Sequence, residues 1–357
     1  MKKVCFFIGN MNYSGGTERV TSILANELVK KNFEISILSL SEGVSPFFRL
    51  EPGIKLDNLF SYKISMKMNF LSCCFKLRKY IKTNNIETLI IVDSILCIFA
   101  IPALIGIKMK KICWEHFNFN VDLGVKFRNL GRKLAAKYCD YVITLTKRDR
   151  EIWQKKLKCI NSEILSIPNP TPYENIIHIP NLDDKIILAV GRLTYQKGFD
   201  LLLEAWKDVC KFNNEWKLYI VGSGEDEKLL KLYAKNLGID QYINFISATK
   251  DIEKYYRMSS YFCLSSRFEG FGMVILEAQS FGIPVISFNC DCGPSDLIES
   301  GLNGYLIPPL QVEKLSQSIL SVINKSKENY SIMSKASLEK SKEYTIAKIF
   351  EKWLKII

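Results

Sequence analysis

With 357 residues, 48% of them hydrophobic, the chain is too long for one comfortable core and apolar enough to bury two. Its formal charge of +12 is unevenly placed: residues 1–174 hold 27 Lys and Arg against 15 Asp and Glu, whereas residues 175–357 hold 22 of each, so the basic half suits an anionic partner. Eleven scattered cysteines with no CxxC repeat and only two histidines argue against a zinc cluster and fit reduced thiols in a cytoplasm; no nucleic-acid-binding module is recognised.

The first element, Val4 to Ile8, is a short continuous apolar run, as in a strand buried on both faces. It is short for a signal peptide, and no cleavage pattern follows. A loop rich in Gly and Asn spans residues 9–16. From Thr17 onward Val20, Ile23, Leu24 and Leu28 share one side of a helix, and residues 33–40 read as the next strand. This is a βαβ unit opening an α/β sheet. In residues 61–82 cations alternate with Ile, Met, Phe and Leu. That segment reads either as an amphipathic helix packed on the sheet or as one lying on an anionic membrane. Residues 88–92, 111–114 and 141–145 continue the strands. The longest apolar stretch, residues 95–107, is shorter than the roughly 20 residues of a bilayer span and is interrupted by Pro102.

The first domain is placed at residues 1–170 and the linker at about 169–184. A second α/β series occupies residues 184–343, with strands at 186–190, 217–221, 243–246, 261–264 and 284–288. Helices are expected around 201–209 and 226–237. In residues 344–357, Ile346, Ile349, Phe350, Trp353, Leu354 and Ile357 form one helical stripe, expected to pack back on the first domain.

Three turns in the second half carry the candidate chemistry. Gly191 to Phe199 follows a strand and sets Arg192 and Lys197 on a tight loop, two cations suited to a diphosphate. Gly222-Ser223-Gly224 could cradle a phosphate or admit a base or ribose. It is not the dinucleotide fingerprint, since Glu227 stands where the third Gly belongs, and no Walker A pattern exists. Ser265 to Ala278 runs from a strand through Gly270 and Gly272 into a helix starting near Met273. Glu269 lies before that helix and Glu277 one turn inside it, so the two carboxylates could address separate hydroxyls of one ligand.

These motifs together resemble the retaining glycosyltransferases of family 4, the glycosyl transferases group 1, typified by bacterial polysaccharide and lipid-linked oligosaccharide enzymes. Glu269 to Glu277 matches the family's E-x7-E signature, and Gly191 to Asp200 its Gly-Arg-Leu…Gln-Lys-Gly-Phe-Asp element. Gly15 to Arg19, Pro294 to Ile298 and Gly301 to Ile307 match further elements. The resemblance implies a GT-B fold: α/β, two Rossmann-like domains facing each other across a cleft. It implies that Arg192 and Lys197 hold the donor diphosphate and that Glu277 binds the ribose. Glu269, with the backbone of Gly270, Phe271, Gly272, Met273 and Val274, would hold the transferred sugar. His116, in Trp114-Glu115-His116-Phe117-Asn118, would contact that sugar near the reaction centre. Gly15 and Gly16 would admit the donor phosphates, and Gly222 and Gly224 would belong to the donor site. Glu18 and Arg19 would make acceptor or interdomain contacts.

The activity so implied moves a hexose or N-acetylhexosamine from a nucleotide sugar, a UDP-sugar by family frequency, to a glycan or lipid-pyrophosphate acceptor. No cofactor or metal is expected, in keeping with the absence of a DxD motif. The expected location is cytoplasmic, with peripheral attachment to the inner face of the plasma membrane as an extension. The alternatives are a sugar phosphorylase, a nucleotide-sugar epimerase and a non-catalytic nucleotide-sugar-binding protein of the same fold.

Overall fold

The computed structural model describes residues 1–122, 124–125 and 127–357. It divides into two compact units, residues 1–172 with 346–357, and residues 173–345.

The first unit is built on seven parallel strands: β1 (Lys3–Ile8), β2 (Glu34–Ser39), β3 (Lys55–Asn58), β4 (Thr88–Val92), β5 (Lys110–Trp114), β6 (Tyr141–Thr144) and β7 (Glu163–Ser166). Their spatial order is β3-β2-β1-β4-β5-β6-β7. β1 and β4 are apolar runs because helices cover both faces of the sheet, and every residue of β4 is buried. The connecting helices are α1 (Gly16–Lys30), α2 (Phe70–Asn84), α3 (Cys97–Ala103), α4 (Phe127–Tyr138) and α5 (Lys147–Lys156). The apolar stretch at residues 95–107 is thus a short core helix, α3, with Pro102 in its last turn. α2 occupies only the second part of residues 61–82. Its Cys73, Leu77 and Ile81 enter the core, at the i, i+4 spacing of a single helical face. The C-terminal helix Ile346–Leu354 belongs to this unit, with Trp353 edge-on to Trp114 at 4.8 Å.

The second unit holds six parallel strands: β8 (Ile186–Val190), β9 (Lys217–Val221), β10 (Ile243–Ile246), β11 (Tyr261–Leu264), β12 (Val285–Phe288) and β13 (Gly304–Ile307). They run in the order β10-β9-β8-β11-β12-β13. Helices α6 (Phe199–Phe212), α7 (Glu227–Asn236), α8 (Glu253–Arg257), α9 (Met273–Ser280), α10 (Pro294–Leu297), α11 (Val312–Ile323) and α12 (Lys327–Ser341) complete it. β3, β7 and β13 are elements that the hydrophobic pattern leaves out. β3 and β7 lie on sheet edges, where part of each strand is exposed and the apolar run is diluted.

Each sheet reverses direction of growth once, between β1 and β4 in the first unit and between β8 and β11 in the second. Loops leaving the carboxyl ends on either side of such a switch diverge, which leaves room for a ligand. Those are the loops that carry the sequence motifs.

Among the described residues, no helix is long and apolar enough to cross a membrane. All eleven cysteines are free thiols.

Candidate active site

At the β8/β11 switch of the second unit, two turns are stitched together. The Arg267 amide donates to the Gln196 carbonyl at 2.8 Å, and Gln196 Nε2 returns a bond to the Phe268 carbonyl at 3.1 Å. Ser265 Oγ donates to the Lys197 carbonyl at 3.0 Å. Gly198 has φ +61°, and a Cβ there would stand 2.2 Å from the Ser265 carbonyl oxygen. Only glycine lets the turns approach this closely. The Arg267 guanidinium clamps Asp200 through two bonds of 2.8 and 2.6 Å while lying over the Tyr195 ring at 4.0 Å. Burial works against the Asp200 charge, but Arg267 outweighs it and holds the carboxyl below its usual range.

This stitching joins the two motifs at one ion pair. Lys197 Nζ donates to Glu269 Oε1 at 2.7 Å, and Ser266 Oγ donates to the same oxygen at 2.6 Å. The Glu269 side chain is 7% exposed and that of Lys197 15%. The sequence motifs assign these residues separate tasks, one for phosphate and one for sugar; the structure makes them partners. Arg192, in the same turn, differs. It is exposed, and its side chain forms no hydrogen bond or ion pair among the described residues.

After Glu269 the chain turns through Gly270, Phe271 and Gly272 into α9. Gly272 is in the left-handed region at φ +86°, and no side chain caps the helix's first turn at Met273 and Val274. An uncapped N-terminus beside two glycines presents backbone N–H groups to an anion or hydroxyl. Glu277 lies one turn inside, buried, and accepts the Tyr256 hydroxyl at 2.8 Å. Tyr256 in turn stacks on Phe281 at 5.3 Å, fixing the carboxylate's inner side.

Gly222 and Gly224 have a packing explanation. A Cβ at Gly222 would be 1.9 Å from the Gly191 carbonyl oxygen, and one at Gly224 would be 2.2 Å from that of Leu193. These two glycines thus admit the neighbouring turn of the protein itself.

In the first unit, Gly15 is the N-cap of α1 and Gly16 its first residue, again with no side-chain cap. His116 follows β5. Its ring is buried against Trp114 at 4.6 Å, and its Nε2 has no hydrogen-bond partner among the described residues. Burial pushes its pKa down to about 4, only partly offset by the charge of Glu115. Behind it lies a group that sequence reasoning missed: Glu115, Arg128, Arg132, Asp93 and Asp149. Arg128 pairs with Asp93 at 2.6 Å and Arg132 with Glu115 at 3.2 Å. Asp93 sits at the end of β4 with φ +81°, a strained conformation for a non-glycine residue. Burial, then the Glu115 charge, lift its pKa to about 6 against the pull of Arg128. Glu115 is itself held below its usual range, because Arg132 and Arg128 outweigh the effect of its burial.

Asp149 accepts the Phe119 amide at 2.7 Å, and its pKa is pushed up to about 7, mainly by burial. A folded pKa above the unfolded value of roughly 3.9 contributes stability that is complete below about pH 4 and lost as pH rises through 7. Asp149→Asn keeps an acceptor for Phe119 and removes the titration. The variant is expected to gain on the order of 4 kcal/mol over the wild type at pH 8 and nothing at pH 4. Urea denaturation at the two pH values checks this.

Among the described residues, no group of three or more His, Cys, Asp or Glu is arranged to hold a metal ion.

Residues 174–340 match the family described as glycosyl transferases group 1, and residues 14–174 match glycosyltransferase family 4. A Haemophilus influenzae protein described as an uncharacterized glycosyltransferase is 40% identical over 357 residues, covering all of both chains. A Campylobacter jejuni alpha-1,4-N-acetyl-D-galactosaminyltransferase is 28% identical over 364 residues, covering 100% of this chain and 98% of that one. Its name specifies a GalNAc-containing acceptor on diNAcBac-PP-undecaprenol. The crystal structure of a mutant of S. aureus TarM in a complex containing UDP superposes with a TM-score of 0.84 at 16% identity, covering 100% of this chain and 99% of that one; this likeness is one of fold. The chain therefore belongs to the GT-B glycosyltransferases of family 4, the glycosyl transferases group 1, and is a glycosyltransferase that uses a nucleotide-sugar donor in polysaccharide or glycoconjugate biosynthesis.

Proposed function

We propose that the enzyme transfers a hexose or N-acetylhexosamine, with retention of anomeric configuration, from a UDP-sugar to a glycan or lipid-pyrophosphate acceptor. The observation that carries this reading is the buried Lys197–Glu269 pair beside the uncapped start of α9, with Arg192 unengaged in the same turn. Donor binding would draw Lys197 toward the diphosphate and leave Glu269 to the sugar hydroxyls. Arg192 and Lys197 then match the charge that grows on the leaving diphosphate, a role that requires no metal. Glu277 takes the ribose, and His116 contacts the transferred sugar. The acceptor hydroxyl attacks the anomeric carbon on the face from which the diphosphate leaves. The new C–O bond forms as the old one breaks, and the departing phosphate oxygen takes the acceptor's proton. The UDP of the TarM complex and the lipid pyrophosphate in the Campylobacter enzyme's name support the choice of donor and acceptor class.

A panel of nucleotide sugars, read by nucleoside diphosphate release with and without lipid-pyrophosphate acceptors, tests it. Transfer with an inverted product, or epimerised sugar without transfer, defeats the reading. Binding without turnover on any acceptor favours a binding protein of the same fold.

The proposal extends to attachment at the cytoplasmic face of the membrane. On α2, Leu71 is 79% and Phe75 70% exposed, beside exposed Lys79 and Lys82. Apolar and cationic side chains sharing one outer face suit an anionic bilayer. Vesicles containing anionic lipid are expected to sediment the wild type, and Leu71→Glu with Phe75→Glu is expected to abolish this. Equal sedimentation with purely zwitterionic vesicles counts against it.

A further inference from the structure

Two oppositely charged side chains, both sealed from solvent, grip the backbone that carries His116. The Glu115 carboxylate takes its N–H groups: the amides of His116 and Phe117 donate to Oε1 at 3.1 and 3.2 Å. The Arg132 guanidinium takes its carbonyls. Nη2 donates to Asn118 and Val121 at 3.0 and 2.8 Å, and Nη1 to Phe119 at 2.7 Å. The two side chains meet directly, Nε to Oε2 at 3.2 Å, and Ser94 Oγ donates to the same oxygen at 2.6 Å. Arg128 lies over the Phe117 ring at 4.5 Å and 3.7 Å from Glu115, while Asp149 holds the Phe119 amide. Every residue from 116 to 119 thus has a backbone group held by a side chain. Arg132 reaches this position because residue 131 is glycine: a Cβ there would stand 2.2 Å from the Ser94 carbonyl oxygen, and α4 would be pushed away.

A loop left in water satisfies its own polar groups without such partners. A buried ion pair is a poor source of net stability, because desolvation cancels most of its attraction. What this arrangement supplies is a fixed loop geometry, with donors and acceptors held from opposite sides. We propose that Glu115 and Arg132 are positioning residues that set the orientation of His116 before substrate arrives. The proposal rests on the assignment of His116 to the transferred sugar made above.

The two histidines of the chain make the test direct. With 15N-labelled histidine, a His178→Ala comparison identifies the His116 signals, which in the wild type should titrate near pH 4. Arg132→Lys keeps the charge but loses the planar fork of donors. It is expected to lower kcat about 10- to 100-fold with KM for the nucleotide sugar nearly unchanged, and to raise the His116 titration toward roughly 6.5. Glu115→Gln discriminates further. Loss of the Glu115 charge alone pushes the His116 titration lower, whereas release of the loop into solvent pushes it higher; Asp93, Asp149, Arg128 and Arg132 are the remaining charges of the cluster around Glu115. An upward shift in both variants supports the grip, and a titration unmoved or lowered in both overturns it. Wild-type turnover in His116→Ala would remove the sugar contact while leaving the grip to be judged by the titrations. If neither variant folds, amide exchange in the wild type decides: residues 116–119 should be protected as strongly as β5, and exchange at the rate of exposed loops overturns the proposal.

Discussion

Lys197→Ala is expected to lower kcat about 100- to 1,000-fold, the loss that follows removal of one preorganised group from a developing negative charge. The same substitution should cost only about 1–3 kcal/mol of stability. The gap between the two effects follows from the local geometry. Glu269, the partner left behind, keeps the Ser266 hydroxyl at 2.6 Å, so its carboxylate is not stranded in the interior. On the proposed mechanism the catalytic loss has two sources: a cation is missing at the diphosphate, and Glu269 loses the partner that holds it in place before the donor arrives. Glu269→Gln should therefore be much less harmful on top of Lys197→Ala than alone, because neighbouring members of one network are not additive. The measurement is a double-mutant cycle on kcat/KM, with urea melts of each variant alongside. Full turnover in Lys197→Ala removes the residue from the mechanism, and strict additivity removes the coupling between the two motifs.

That coupling marks where sequence reading stops. The strands of both sheets were legible where they are buried on two faces, as in β1, β4, β8 and β11, because nothing interrupts their apolar runs. Edge strands β3 and β7 were not, since half-exposed residues break the run. Turns carrying Arg192, Lys197 and Glu269 could be placed at strand ends from glycine spacing. Their pairing could not, because Lys197 and Glu269 are 72 positions apart and only the β8/β11 adjacency joins them. The same holds for Glu115 and Arg132. An arginine in a helix reads as a solvated cation, and nothing local shows that Gly131 draws this one into the interior. At Gly222 and Gly224 the structure adds a packing requirement that the pattern of a glycine-rich turn does not reveal: the carbonyls of Gly191 and Leu193 occupy the space a side chain would need.

Arg192→Ala is expected to separate catalysis from folding more cleanly than any change at Lys197. Arg192 is exposed and its side chain makes no hydrogen bond or ion pair among the described residues, so its removal breaks none and opens no buried cavity. Stability should stay within about 0.5 kcal/mol of the wild type, as for surface substitutions generally. Turnover should nevertheless fall about 100-fold, because the guanidinium's fork of donors suits a diphosphate that gains charge as the sugar departs. An interaction strongest in the transition state lowers kcat and kcat/KM together, whereas a contact made equally with bound substrate raises KM alone. Arg192→Lys discriminates again: it returns the charge without the fork and should recover only part of the loss. Steady-state kinetics on the best donor from the nucleotide-sugar panel, with melting curves of the same samples, give all three quantities. A variant with wild-type kcat would leave Lys197 as the cation serving the leaving group and reduce Arg192 to a solvated surface charge. A variant with reduced kcat and an unchanged melt places the charge of the departing diphosphate at the turn after β8, since no structural damage is available to explain the loss.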